Sequence, residues 1–109
     1  MPIDLSFIFG TRPELIKLAP VILKAQQDSR FRVSVVFTGQ HLELVQDAIE
    51  FFQIKIDHHL QIMQPGKSLN ILLSKALTEL DQVYRDMPNC DVIIVQGDTT
   101  TVLAGALVA

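Results

Sequence analysis

Two cations and a carboxylate stand out as residues able to do chemistry. Arg12 and Lys17 lie in Gly10-Thr-Arg-Pro-Glu-Leu-Ile-Lys-Leu-Ala-Pro20, and Asp98 lies in Gly97-Asp-Thr-Thr-Thr101. Arg12 sits where a helix should begin, and a cation there opposes the helix macrodipole at a cost of about 0.3–1 kcal/mol. An anion held between the guanidinium and the helix end removes that conflict, so the arrangement points to a phosphate-bearing ligand. A carboxylate beside a bound pyrophosphate is electrostatically awkward, and makes sense where a proton must be moved. Thr38-Gly-Gln-His41 adds Gln40 and His41. A histidine in such a place binds phosphate or exchanges a proton, or else simply caps or packs.

Most neighbours of these residues have a plain structural reading. Thr11 as helix N-cap with Glu14 three residues on is a capping box, and Pro13 suits a first turn whose N–H groups have no helical partner. Thr11, Pro13 and Glu14 therefore need no function. Lys17, with Glu14 and Lys24, also reads as the polar face of an amphipathic helix. Asp98 or Thr99 is able to cap the last helix. The first turn is neither a Walker A loop nor a dinucleotide fingerprint, because the required glycines and lysine spacing are absent. His58 and His59 are adjacent, which sends their side chains to opposite faces of a strand, and no Cys or carboxylate accompanies them at ligand spacing. No metal site is assigned.

The elements that must carry these residues alternate along the chain. Leu5–Phe9 reads as a buried strand, and Pro13 to about Asp28 as a helix with Leu15, Ile16, Leu18, Ala19, Ile22 and Leu23 on one broad face. Pro20 should bend or weaken that helix. Arg32–Thr38 is β-branched and reads as a second strand, followed by a helix from Leu42 to about Phe52. An extended piece spans His58–Ile62. Pro65-Gly66 then marks a turn, and Ser68 caps a helix to about Met87 with Leu69, Leu72, Leu73, Ala76, Leu77, Leu80 and Val83 inward. Asp91–Gln96 is a strand, and Gly97-Asp-Thr turns it into a final helix. The order and the near-continuous apolar strands predict an α/β fold, a Rossmann-like doubly wound parallel sheet with helices on both faces. In such sheets ligands bind at the carboxyl ends of the strands, so Arg12 and Asp98 should face one crevice.

Composition bounds the function. The chain has 109 residues, 49% of them hydrophobic, which suffices for one core. A formal charge of −3 argues against nucleic-acid binding. No apolar run approaches the roughly 20 residues that span a bilayer, and the start lacks the basic n-region of a signal peptide. The single Cys90 forms no internal disulfide, fits a reducing cytoplasm, and reads as a small buried residue. The final helix ends in Val-Leu-Ala-Gly-Ala-Leu-Val-Ala with no polar cap or stop signal, which predicts that residues 1–109 are an incomplete domain with later strands missing.

Gly10–Pro20, Thr38–His41, Ile62-Met-Gln-Pro-Gly66 and Gly97–Thr101, in this order and spacing, resemble the non-hydrolysing UDP-N-acetylglucosamine 2-epimerases. Pro13-Glu14 after Gly-Thr-Arg argues against the related hydrolysing enzymes. The resemblance implies a partial amino-terminal half of a glycosyltransferase-B-type fold, with the second domain outside this chain. It implies interconversion of UDP-N-acetylglucosamine and UDP-N-acetylmannosamine by anti elimination of UDP and re-addition to 2-acetamidoglucal, with no added cofactor or metal. Arg12 and Lys17 then resemble substrate-binding cations for UDP, and Asp98 a catalytic acid or base. Gln40 and His41 match positions that bind a second substrate molecule as effector in some members. Glu43 and Gly66 depart from the activator-dependent pattern. The resemblance further implies a cytoplasmic homodimer at full length and a role in polysaccharide biosynthesis, the fragment alone being inactive. A nucleotide-sugar glycosyltransferase of the same architecture and a non-enzymatic phosphate-binding α/β module are the competing readings.

Overall fold

The computed structural model describes residues 2–39, 42–62, 66–97 and 99–109. Four parallel strands form its sheet: β1 (Ile3–Phe9), β2 (Phe31–Phe37), β3 (His58–His59) and β4 (Val92–Ile94), in the spatial order β3-β2-β1-β4. β1 pairs along its whole length with β2, from Ile3 opposite Phe31 to Phe9 opposite Phe37, and on its other side Leu5–Phe7 pair with β4. The chain therefore steps outward from β1 to β3, then crosses back to lay β4 on the far side of β1. That reversal makes the gap between the carboxyl ends of β1 and β4 a topological switch point, the place where open α/β sheets bind ligands.

Alternate strand residues feed two layers, as a period of two requires. Leu5, Phe7 and Phe9 of β1, with Val35 and Phe37 of β2, pack on helices α1 (Arg12–Gln26) and α2 (Gln46–Phe52). Ile8 and Val36 point the other way, onto α3 (Leu69–Arg85) and α4 (Thr100–Val108) through Ala76, Leu80, Val83 and Ala104. The doubly wound sheet expected from the apolar strands is thus what forms. Ser6, fully buried on the α3 side, is satisfied by the Tyr84 hydroxyl at 2.7 Å. α4 comes close to the sheet at Gly105, where a Cβ would lie 2.7 Å from the Val95 side chain and 3.1 Å from that of Ile8.

α1 continues through Pro20, which lies on its exposed side, where water can solvate the carbonyl that proline leaves unpaired. Other local expectations change. The helix expected over Leu42–Phe52 divides into a 3-10 turn, Leu42–Leu44, and the shorter α2. Three residues per turn bring Leu42 and Val45 to the same side, and both pack into the core. Leu69, expected inward, is 69% exposed, because the first turn of α3 projects beyond the packed layer. Cys90 is partly buried just before β4, and burial pushes its thiol pKa up, the opposite of a reactive thiolate.

Candidate active site at the carboxyl edge of the sheet

Three of the sequence motifs meet at one point, the turn after β1. Thr38, continuing β2, and Thr101, in the first turn of α4, are both buried, and their hydroxyls lie 2.8 Å apart. They sit directly against Gly10, where a Cβ would approach them to 2.6 and 2.7 Å. A Cβ on Gly39 would lie 2.7 Å from the Gly10 carbonyl oxygen. Only bare backbone at these positions lets the turns after β1, β2 and β4 close on one another.

Glu14 completes the junction. The residue is 4% exposed, and its Oε1 accepts from the Gly10 N–H at 2.7 Å and the Thr11 N–H at 3.2 Å. The second of these belongs to the capping box read from the sequence. Oε2 accepts from the Thr99 hydroxyl at 2.5 Å, across 85 residues of chain. Glu14 is therefore not part of a polar helix face with Lys17, as its spacing suggested. It shares the inward face with Leu18, Ile22 and Ala25, all buried, at helical intervals of four, eight and eleven. That register was the available signal for its burial.

Thr99 holds the N-cap position of α4, yet its side chain makes no capping bond to that helix. Its hydroxyl is committed to Glu14 instead, so the first turn of α4 has no side-chain cap from it. Two residues before it, Gly97 turns the chain with a φ of +107°, a conformation that side-chain-bearing residues rarely adopt.

Arg12 is the first residue of α1 and about half exposed. Its Nη2 donates to Asp47 Oδ2 in α2 at 2.7 Å. Asp47, which the sequence did not single out, thus occupies the place of the anion that Arg12 was expected to attract. Both partners are largely solvated, so the pair contributes only about 0–1 kcal/mol and an incoming phosphate can displace it at little cost. Lys17 lies exposed on α1, one and a half turns further along. Asp98, Gln40 and His41 lie outside the described residues. Their described chain neighbours are Gly97 and Thr99 for the first, and Gly39 and Leu42 for the pair. His59 of β3 meets the Gly39 carbonyl through Nε2 at 3.1 Å, with its ring 4.9 Å from that of Phe37, so it braces the backbone at Gly39. Among the described residues no three His, Cys, Asp or Glu side chains are grouped to hold a metal ion. A separate hollow of about 290 Å³, lined in part by Asp4, Arg32 and Cys90, lies at the opposite, amino edge of the strands.

The described part of this edge is a hydrogen-bonded junction that carries two solvent-facing cations, Arg12 and Lys17, a charge pattern suited to a phosphorylated ligand.

Comparison with known proteins gives the family. The profile of the UDP-N-acetylglucosamine 2-epimerase family matches residues 23–109, a span that does not depend on the Gly10–Pro20 turn. The UDP-N-acetylglucosamine 2-epimerase of Neisseria meningitidis serogroup A is 42% identical over 103 residues, covering 94% of this chain and 27% of that protein. A crystal structure of a UDP-N-acetylglucosamine 2-epimerase superposes with a TM-score of 0.94 at 36% identity, covering 99% of this chain and 30% of that one. The Neisseria meningitidis enzyme bound to UDP-GlcNAc gives 0.90 at 39% identity, covering 97% and 28%. The chain spans less than a third of the length of each of these proteins. It belongs to the UDP-N-acetylglucosamine 2-epimerase family.

Proposed function

We propose that this chain is the first part of the amino-terminal half of a UDP-N-acetylglucosamine 2-epimerase with a glycosyltransferase-B-type fold, and that its carboxyl edge forms one wall of the active site. The interlock of the turns after β1, β2 and β4 around Gly10 and Glu14 carries the reading, because it brings Arg12 and the Gly97–Thr101 loop to one switch point. The UDP-GlcNAc bound to the Neisseria relative supports the same ligand here.

In this reading Arg12 exchanges Asp47 for the diphosphate of UDP, and Lys17 adds a second positive charge. Both stabilise UDP as it departs with the electron pair of the C1–O bond. Asp98 moves the C2 proton on one face of the sugar, which leaves 2-acetamidoglucal. Return of a proton to the opposite face of C2 and of UDP to C1 gives UDP-N-acetylmannosamine. Gln40 and His41 contact a nucleotide sugar, as substrate or as effector. The whole protein works as a homodimer in the cytoplasm; among the described residues no helix is long and apolar enough to cross a membrane. The test is to incubate the full-length protein with UDP-N-acetylglucosamine and separate the products. Appearance of UDP-N-acetylmannosamine is expected, and transfer of the sugar to an added acceptor would favour a glycosyltransferase instead.

A further inference from the structure

We infer that Glu14 and Thr99 form a positioning clamp for the acidic loop after β4, an inference that rests on the epimerase reading. A capping-box glutamate ordinarily serves one backbone N–H of its own helix from an exposed position. Glu14 does more: it is buried, spans the Gly10 and Thr11 N–H groups with one oxygen, and takes the Thr99 hydroxyl with the other. All three partners donate, so both carboxylate oxygens serve as acceptors.

The far end of the clamp is committed in the same way. Thr99 stands at the N-cap of α4 but gives its hydroxyl to Glu14 rather than to α4. Gly97, two residues earlier, descends toward the same carboxylate, since a Cβ there would lie 3.6 Å from Glu14 Oε2. Asp98 is the residue between these two in the chain. Because Glu14 also holds the turn that carries Arg12, one carboxylate ties the register of the proton-moving loop to that of the phosphate-binding turn. Misplacement of a reacting group by about 1 Å costs on the order of 10²-fold in rate, so loosening the clamp should act on turnover more than on substrate binding.

Thr99→Val and Thr99→Ser in the full-length protein separate positioning from mere stability. Valine keeps the volume and removes the donor, while serine keeps the hydroxyl. The clamp predicts that Thr99→Val lowers kcat by roughly 10- to 100-fold with KM for UDP-N-acetylglucosamine changed less than about threefold, and that Thr99→Ser restores most of the rate. It also predicts faster amide hydrogen exchange at residues 97–101 in Thr99→Val, with β1 unaffected. Equal kcat for valine and wild type at matched folded fraction, or unchanged exchange in that loop, would overturn the clamp. If wild type forms no UDP-N-acetylmannosamine, the epimerase reading fails on its own, and the exchange measurement alone decides whether the loop is held.

Discussion

The hydroxyls of Thr38 and Thr101 meet 2.8 Å apart in the buried floor beneath Gly10, although 63 residues separate them. This contact ties the end of β2 to the start of α4 at the point where β1 gives way to α1, and it leaves no room for a side chain at Gly10. Gly10→Ala should therefore destabilise the protein by about 1–3 kcal/mol, since neither hydroxyl can withdraw from a packed interior. Urea unfolding of wild type and variant reads this directly, and a loss under ~0.5 kcal/mol would mean that the floor is softer than its geometry suggests.

The same pair predicts non-additivity. Thr101→Val orphans the Thr38 hydroxyl, whose other contact, the Phe9 carbonyl, is long at 3.5 Å, and should cost about 1–3 kcal/mol. The double replacement Thr38→Val/Thr101→Val removes both polar groups and should cost clearly less than the sum of the single changes. A strictly additive double-mutant cycle would count against the hydroxyl contact.

Arg12 and Asp47 should separate binding from stability. Their ion pair is exposed, so Arg12→Ala and Asp47→Asn should each change unfolding free energy by less than about 1 kcal/mol. Toward UDP the two should diverge. Arg12→Ala loses a charge-assisted contact and should weaken binding about tenfold or more. Asp47→Asn removes the internal competitor and should leave affinity equal or slightly tighter. Titration calorimetry with UDP distinguishes them, and weakening by both would make Asp47 part of the binding surface rather than a placeholder.

Tyr84 predicts an alkaline limit to stability. Burial pushes its phenol up to about 12 from 10, partly offset by the Ser6 hydrogen bond. The unfolded chain thus releases this proton first, and the contribution is intact below pH 10 and lost as pH rises through about 12. Stability should fall by on the order of 1–3 kcal/mol across that window. In Tyr84→Phe, which leaves Ser6 without its partner, that part of the slope should disappear, while stability near neutral pH drops by about 1 kcal/mol. Denaturation midpoints between pH 8 and 12 test both statements.

Much of the fold was legible because its signals are local. β-branched apolar runs such as Arg32–Thr38 mark strands, Pro88 marks a break, and Thr11 with Glu14 marks the start of α1. The shared edge of the Gly10 and Gly97 turns followed from strand order, which alternation of elements constrains. What escaped was set by distant partners. Nothing near Glu14 in sequence announces Thr99, and nothing near Arg12 announces Asp47. The burial of Glu14 was readable from its register with Leu18 and Ile22, but the capping-box pattern offered a sufficient local explanation and masked it. The division of the 42–52 helix depends on how Val45 packs, which periodicity alone does not resolve.

Asp98→Asn separates proton chemistry from the rest of the site. It should abolish turnover in the full-length protein while UDP affinity stays within a few-fold of wild type. Loss of folding instead would make Asp98 a structural residue rather than a catalytic one.

Proton exchange at C2 tests the account most directly. The full-length protein in D₂O with UDP-N-acetylglucosamine should place deuterium at C2 of both nucleotide sugars, as seen by NMR loss of the C2 proton signal, and Asp98→Asn should suppress it. Retention of the C2 proton during turnover would contradict elimination and re-addition, and retention with no turnover at all would contradict the assignment of this edge as an epimerase site.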